Sequence, residues 1–267
     1  MAVIGNKLGR LEYLTATNIP VPHGFTTRLG GVSRGNLASM NIGTHRGDTR
    51  ENVLRNYGVL GSAIGFDPQS CVLTKQTHTD IVRCVTAQDA GTGLFKPEFE
   101  PCDGLVTNTP GLALVVFTAD CTPVLLYDPK TGAVGAVHAG WRGTAQDIVG
   151  KAVQAMEKHF GTDPACLKAA IGPNIGQCCF ETDADVPQAL LHTYGDAVRE
   201  HIHQTGDKYY VNLKAVNALA LQRHGVTDIE ISTQCTRCDP NRFWSARVHR
   251  DARGSQGAII VCKEAGK

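Results

Sequence analysis

The chain has 267 residues and a formal net charge of +1 at pH 7, from 26 basic and 25 acidic side chains. This length is enough for one large domain or two small ones, and the balanced charge argues against a general nucleic-acid binder. No apolar run approaches the roughly 18 residues of a membrane span, and residues 1–13 lack a signal-peptide core. We therefore expect a cytoplasmic protein whose ten cysteines are mostly reduced.

The first part of the chain predicts short elements separated by polar loops. Residues 10–45 contain five glycines and a dense polar set, and they predict a strand with long turns. Residues 50–60 predict a helix from their apolar spacing. Residues 71–85 form two β-rich runs around His78, which therefore lies where a strand ends or bends. Taken alone, His78 is more typical of a hydrogen-bonded structural histidine than of a ligand.

Residues 86–101 have no apolar period and predict a mobile loop. The run at 112–117 is apolar at every position, which is typical of a strand buried on both faces. A β-hairpin follows, because apolar runs at 124–127 and 133–137 flank the turn sequence Asp-Pro-Lys-Thr-Gly. With a pivot near Lys130, residues whose numbers sum to about 260 face each other.

This register places Cys121 opposite His138 or Ala139, at the open end of the hairpin. A thiol beside an imidazole is either a metal site or a nucleophile with its base. Thr144 then predicts the N-cap of a helix that Gly161 ends. The free N–H groups at this helix start make a potential anion site.

Further helices are predicted at 185–198 and 214–223, and strands at 168–171 and 229–232. Cys235 and Cys238 form one C-x-x-C pair, which we interpret as two ordinary thiols because a structural zinc site needs two more ligands. The elements together predict a single α+β domain over residues 1–267. Its core is a mixed or mostly antiparallel sheet with helices packed outside.

The chain contains the five blocks KQTHTDIV, TADCTPVLLYDP, AVHAGWRGT, IGPNIGQCCFE and FWSARV. These blocks resemble the signatures of the YfiH family, also called the laccase-domain or polyphenol-oxidase-like family and described as purine nucleoside phosphorylase. The blocks occur in the family's order and span nearly the whole chain. The resemblance implies a layered α+β fold with a β-sandwich core, of the type also known from cytotoxic-necrotizing-factor-like cysteine hydrolases.

The same resemblance implies a zinc site made of His78, Cys121 and His138. It also implies phosphate-dependent cleavage of adenosine, inosine and methylthioadenosine, and in some members deamination of adenosine. Two imidazoles and a thiolate suit zinc, and three protein ligands leave a fourth position open. The family's older copper-oxidase label would require more histidines beside the site, so we do not expect copper.

Phosphorolysis needs positive charge to hold phosphate. The residues proposed for phosphate or substrate are Arg28, Asn41, Arg142 and Arg247. Asp103 or Asp120 could serve as acid or base toward the purine. Asp120 precedes Cys121 on the strand and points to the other face, so it is better suited to orienting the site.

The main alternative is a metal-free cysteine hydrolase or amidase, with Cys121 as nucleophile, His138 as base and His78 orienting the pair. The same three residues serve either mechanism, and the lack of an obvious Asn or Asp orienter favours a metal. A protein with a purely structural zinc is a third possibility, but such sites close with four ligands. The expected partners are a purine nucleoside and phosphate, with neither nucleic acid nor membrane; the sequence does not address the oligomeric state.

Overall fold

The computed structural model describes residues 3–263, so the two ends of the predicted unit 1–267 lie outside the described residues. Its strands are β1 (Ile4–Leu8), β2 (Leu11–Thr15), β3 (His23–Thr26), β4 (Cys71–Leu73), β5 (Val82–Cys84), β6 (Gly104–Thr107), β7 (Ala113–Thr118), β8 (Thr122–Tyr127), β9 (Val134–Ala139), β10 (Lys168–Ile171), β11 (Glu181–Thr182), β12 (Ile202–Thr205), β13 (Lys208–Val211), β14 (Asp228–Ile231) and β15 (Gln256–Val261). Its α-helices are α1 (Arg50–Ile64), α2 (Trp141–Ala145), α3 (Ile148–Phe160), α4 (Asp185–Tyr194), α5 (Leu213–Arg223) and α6 (Ala246–His249). None of these helices has the length and apolar character needed to cross a bilayer.

The strands form two six-stranded sheets and one small sheet. The first has the order β1-β2-β3-β15-β7-β4, the second β14-β10-β8-β9-β6-β5, and the third β11-β13-β12. Most neighbours are antiparallel, and the pairs β4–β7, β5–β6 and β10–β14 are parallel. The mixed α+β architecture predicted from the sequence is therefore confirmed, whereas the likeness to cytotoxic-necrotizing-factor-like proteins stays a prediction.

Apolar side chains divide the molecule into layers. Leu114 and Ile260 of the first large sheet pack against Leu125 and Ala136 of the second, and all four are completely buried. Helices α3 and α5 cover the outer face of the second sheet, and α4 joins the same apolar cluster by packing against α2. Helix α1 covers the outer face of the first. The strand at 113–118, predicted to be buried on both faces, lies inside this arrangement.

The helical region after the hairpin differs from its prediction. Thr144 is not an N-cap; it lies inside α2, and its hydroxyl contacts Asn217. The hydroxyl of Tyr194 donates to the Thr144 carbonyl at 2.6 Å, and the chain turns at Asp147 before α3 begins. A tertiary contact thus interrupts a helix that the apolar period alone would continue. Gly161 ends α3 in the left-handed conformation, as predicted.

The other elements agree with their predictions to within a few residues. Helix α1 runs to Ile64 and ends at left-handed Gly65, one turn beyond the predicted end. The helix predicted at 185–198 stops at Tyr194 and continues as a 3₁₀ turn. The loop at 86–101 contains one short 3₁₀ turn and an isolated bridge between Thr92 and Lys96, and its predicted mobility stays a prediction.

Candidate functional site

The hairpin of β8 and β9 brings the thiol and one imidazole together. Its turn is closed by the N–H of Asp128, which donates to the carbonyl of Ala133 at 2.9 Å. Because this turn is centred just after Lys130, the register differs from the predicted one by a residue. Pro123 lies opposite His138, and the ladder ends at Thr122 and Ala139, so Cys121 lies just beyond the last pair.

His78 reaches the same place from the loop between β4 and β5. Its Nε2 lies 3.8 Å from Sγ of Cys121, and its ring stands edge-on to that of His138 with 5.1 Å between centroids. The ligand atoms of the three residues all lie within 4.8 Å of one another. The structure therefore brings together the three residues that the sequence blocks singled out.

Gly140 leaves space for this convergence. A Cβ atom at this position would lie 2.7 Å from Cδ2 of His78 and 3.3 Å from Sγ of Cys121. The first distance is shorter than any ordinary contact between carbon atoms. A glycine at this position is therefore required by the close approach of the histidine and the thiol to the backbone.

Asp103 is the fixed point of the site. Its side chain is fully buried at the start of β6, and it accepts a hydrogen bond of 2.7 Å from Nδ1 of His138. The backbone N–H groups of Thr77, His78 and Thr79 donate to the same carboxylate at 3.2, 3.1 and 2.8 Å. These three donors hold His78 in the left-handed region, with φ at 64°, which a histidine seldom adopts.

The expectation that no carboxylate orients the histidines is thus wrong. The sequence suggests Asp103 as an acid or base toward a purine. In the structure its carboxylate contacts His138 and the loop that carries His78, and Asp103 does not line the cleft. A fixed Nδ1–H on His138 leaves Nε2 to face Cys121 and His78. The sequence offered one signal, an acidic residue directly before a buried strand.

The thiol and the imidazole of His138 shift each other's pKa. Burial alone would raise the pKa of Cys121, but the charge of His138 and hydrogen bonds from both histidines outweigh it and lower the value to about 6. Burial would lower the pKa of His138, but the Cys121 thiolate and the bond to Asp103 raise it to about 9. Without a metal, the pair is therefore a thiolate and an imidazolium near neutral pH.

Asp120 lies directly before Cys121, in a bend that precedes β8 and not on the strand as predicted. Its backbone has φ at 89°, and its carboxylate accepts hydrogen bonds from the hydroxyls of Thr236 and Ser245 at 2.6 and 3.0 Å. The backbone N–H of Arg247 adds a third bond at 2.8 Å. These contacts fix the backbone directly before the thiol.

The three converging residues open onto a cleft of about 240 Å³. Arg46 and Arg253, from separate loops, also line it and are half-buried. Burial lowers the pKa of both guanidinium groups, and for Arg253 the charge of Arg46 adds to this effect. Within residues 3–263 neither forms an ion pair with a carboxylate. Glu98 also lines the cleft but contacts His45, and Asp251 interacts with both arginines at longer range. Two guanidinium groups without a direct carboxylate partner favour an anion in the cleft.

None of the four residues predicted to hold phosphate or substrate lines this cleft. The guanidinium of Arg28 stacks 4.0 Å from the Trp244 ring and donates to the carbonyl of Pro240. Asn41 is fully buried, and its Oδ1 accepts the N–H groups of Gly43 and Ser255. Asn41 thus shapes two segments of the cleft wall without facing the cleft.

Arg142 and Arg247 are exposed on other surfaces. Arg142 stacks on Trp141 at 4.2 Å and lines a separate groove between α2 and α4. The anion site at the start of this helix stays a prediction, and the helix is α2, which has only five residues. Arg247 donates to the carbonyl of Glu181 at 2.8 Å. A role in binding substrate stays a prediction for all four residues.

Sequence reasoning missed Arg46 and Arg253 because nothing local distinguishes them. Each stands before a glycine in a polar loop, but Arg34 and Arg142 do so as well. The two arginines come together only in the folded chain. Nε of Arg46 donates to the hydroxyl of Ser255 at 3.3 Å, and Ser255 lies two residues after Arg253, directly before β15. No motif describes this contact.

The interpretation of Cys235 and Cys238 as ordinary thiols rests on two further metal ligands being missing, and this premise is wrong. Two further cysteines, Cys178 and Cys179, lie beside them, and the four sulfur atoms are within 4.8 Å of one another. The missing pair comes from the loop after β10, which the sequence does not connect to the C-x-x-C segment.

Comparison with known proteins gives consistent matches. A family model described as multi-copper polyphenol oxidoreductase laccase matches residues 22–263. The chain is similar to purine nucleoside phosphorylase YlmD of Geobacillus stearothermophilus, with 36% identity over 243 residues, which are 89% of this chain and 88% of the relative. It is also similar to a purine nucleoside phosphorylase of Bacteroides thetaiotaomicron, with 37% identity over 233 residues, 85% of this chain and 86% of the relative. The crystal structure of Bacillus licheniformis YfiH superposes with a TM-score of 0.90 at 32% identity, covering 97% of this chain and 99% of that one.

We predict that Asp103→Asn changes the acidity of Cys121. In metal-free protein, the thiolate of Cys121 is present above its pKa of about 6 and is lost as the pH falls through that value. Removing the charge of Asp103 lowers the pKa of His138, so less positive charge remains to stabilise the Cys121 thiolate. The midpoint for alkylation of Cys121 should therefore rise by about 1 to 3 pH units. The rate of iodoacetamide labelling against pH measures this midpoint.

The matched control is Asp80→Asn, because Asp80 lies on the loop that carries His78 but pairs with Lys151 at the surface. This variant should keep the wild-type midpoint. A folded Asp103→Asn protein with an unchanged midpoint would contradict the role given to Asp103.

Proposed function

The chain belongs to the family described as multi-copper polyphenol oxidoreductase laccase, and we propose that it is a zinc-dependent purine nucleoside phosphorylase. Its relatives carry that activity in their names. The observation that supports the proposal most directly is a His–Cys–His cluster sharing one cleft with two unpaired arginines. The proposed reaction joins phosphate to the sugar of adenosine, inosine or methylthioadenosine and releases the free base.

The donor set fits zinc. Two imidazole nitrogens and one thiolate are typical zinc ligands, and two such ligands on a tetrahedral ion lie about 3.6 Å apart. The separation between Cys121 and His78 is 3.8 Å. Zinc held by His78, Cys121 and His138 would supply a Lewis acid with one position open to substrate.

The chain's own residues have separable tasks in this proposal. Asp103 holds His138 in one tautomer through Nδ1, which is the usual arrangement behind a metal-binding histidine. Arg46 and Arg253 hold phosphate, because guanidinium groups match its oxygens in bidentate geometry and stay charged. Their partial burial strengthens this attraction relative to water.

A cysteine hydrolase remains the second candidate, and one observation favours it. Asp103, His138 and Cys121 lie in the order of an orienting acid, a base and a nucleophile. The lowered pKa of Cys121 also suits a nucleophile. This mechanism requires neither zinc nor phosphate, which makes the two candidates separable.

Copper oxidase chemistry has less support. Within residues 3–263, potential ligands converge in groups of three or more at two places, and these contain only two histidines between them. A multicopper centre needs a larger set of imidazoles. The family description therefore does not by itself indicate that this chain oxidises phenols.

We further propose that the chain acts as one unit over residues 1–267 and works in the cytoplasm. All ten cysteines are free thiols in the structure, which agrees with a reducing compartment. The proposed partners remain small molecules, a purine nucleoside and phosphate.

The proposed reaction predicts that hypoxanthine appears from inosine only when phosphate is present. The Cys121→Ala protein should lose activity by about 100-fold or more, because a site that stabilises charge loses one of its three anchors. Release of hypoxanthine is followed with and without phosphate, and before and after chelation. Ammonia released from adenosine without phosphate would indicate a deaminase. A chelator-resistant amidase activity that alkylation abolishes would establish the cysteine hydrolase and contradict the proposal.

The arginine pair predicts a specific kinetic change. Arg46→Ala and Arg253→Ala should each raise KM for phosphate by about 10- to 100-fold, the worth of one charge-assisted contact. The KM for inosine should change much less. Arg199→Ala is the matched control, because Arg199 is an exposed arginine that pairs with Asp196 and does not line the cleft. If all three variants keep the wild-type KM for phosphate, the anion site lies elsewhere.

A further inference from the structure

Four cysteines form a second cluster that is separate from the cleft. Cys178 and Cys179 lie between β10 and β11, and Cys235 and Cys238 follow β14. Sγ of Cys238 lies 3.6 Å from Sγ of Cys178 and 3.5 Å from that of Cys179, and the latter two are 3.7 Å apart. All four sulfur atoms lie within 4.8 Å of one another.

These distances distinguish a metal site from a disulfide. A disulfide joins its sulfur atoms at about 2.05 Å. Four thiolates around a tetrahedral zinc, with Zn–S bonds of about 2.3 Å, are separated by about 3.8 Å along each edge. The three measured separations are close to that edge length, and they are shared among three sulfurs rather than confined to one pair.

The surroundings of Cys235 suit a thiolate. The N–H of Gly176 donates to Sγ of Cys235 at 3.1 Å, and the backbone N–H groups of Arg237 and Cys238 also donate to this sulfur. Lys214, only 8% exposed, lies close enough for its charge to interact with Cys235 and Cys178. N–H donors and a buried cation offset the negative charge that four thiolates leave on a divalent ion.

We propose that Cys178, Cys179, Cys235 and Cys238 bind one zinc ion as a closed structural site. Four protein sulfurs complete the tetrahedron, so this site has no open position for substrate, unlike the three-ligand cluster in the cleft. Binding releases the thiol protons to solvent and involves no change of oxidation state. This inference does not rest on the proposed function.

The second zinc would clamp the two loops that hold the residue before Cys121. The N–H of Ile175 donates to the Asp120 carbonyl at 2.9 Å, and the hydroxyl of Thr236 donates to its carboxylate. The two loops also pair directly, since the N–H of Thr236 donates to the carbonyl of Asn174. A metal joining Cys178–Cys179 to Cys235–Cys238 therefore stabilises the backbone behind the cleft.

The first test uses Co²⁺ in the Cys121→Ala protein. This variant has no thiolate in the cleft, so sulfur-to-cobalt charge-transfer absorption can only come from the second cluster. We expect one equivalent of Co²⁺ to produce this absorption together with the intense visible bands of a tetrahedral site, and zinc to displace it. No charge-transfer absorption in the folded variant would overturn the proposal.

The second test measures metal per chain by mass spectrometry on protein purified without a metal-affinity tag. Cys178→Ser combined with Cys238→Ser should contain about one zinc fewer than wild type. The control is Cys84→Ser combined with Cys166→Ser, two cysteines outside both clusters, which should keep the wild-type content. Unchanged zinc in the first variant, iron in place of zinc, or a disulfide among the four cysteines in protein kept under reducing conditions would each overturn the proposal. Inactivity toward nucleosides with the second zinc present would contradict only the proposed function.

Discussion

The site depends on one buried carboxylate. Asp103 is fully buried, and an ionised carboxylate in that position costs several kcal/mol unless donors surround it. Its donors are the backbone of Thr77 to Thr79 and Nδ1 of His138. The loop that carries His78 and the strand that carries His138 are therefore bound to the same group, and movement of either one removes hydrogen-bond donors from the buried carboxylate. As a result, the pKa of Asp103 lies below its usual range, because the bonds from His138 and Thr79 outweigh the effect of burial.

Asp120 makes a matching arrangement on the other side of Cys121. Its left-handed backbone is held by hydrogen bonds to three distant segments, from the loops after β10 and β14 and the start of α6. Two of these segments, the loops after β10 and β14, also carry the four-cysteine cluster. Asp103 and Asp120 thus fix the residues around the cleft from two sides. Both carboxylates are hydrogen-bonded within the fold, and neither lines the cleft. Arg46 and Arg253 also line the cleft, and neither forms a direct ion pair within residues 3–263.

The sequence predicted most of what local patterns determine. The hairpin was readable from its turn residues, and with it the meeting of Cys121 and His138, although the register was off by one residue. His78 needed the family resemblance, because a lone histidine in a loop has no period to reveal it. Three features were missed for a common reason: the arginine pair, the second cysteine pair and the role of Asp103. Each joins segments that are distant in sequence and adjacent only in the folded chain. The break at Asp147 was missed because the hydroxyl of Tyr194, distant in sequence, competes for a carbonyl of the helix.

The charge state of His138 tests the central claim most directly, namely that Asp103 fixes this histidine for the site. In metal-free protein, nitrogen NMR of the His138 ring should be recorded at a pH between about 6, the pKa of Cys121, and about 9, that of His138. The account predicts an imidazolium with both ring nitrogens protonated, and a Nδ1 proton shifted by its bond to the carboxylate. A neutral ring with an unprotonated Nδ1 would contradict it.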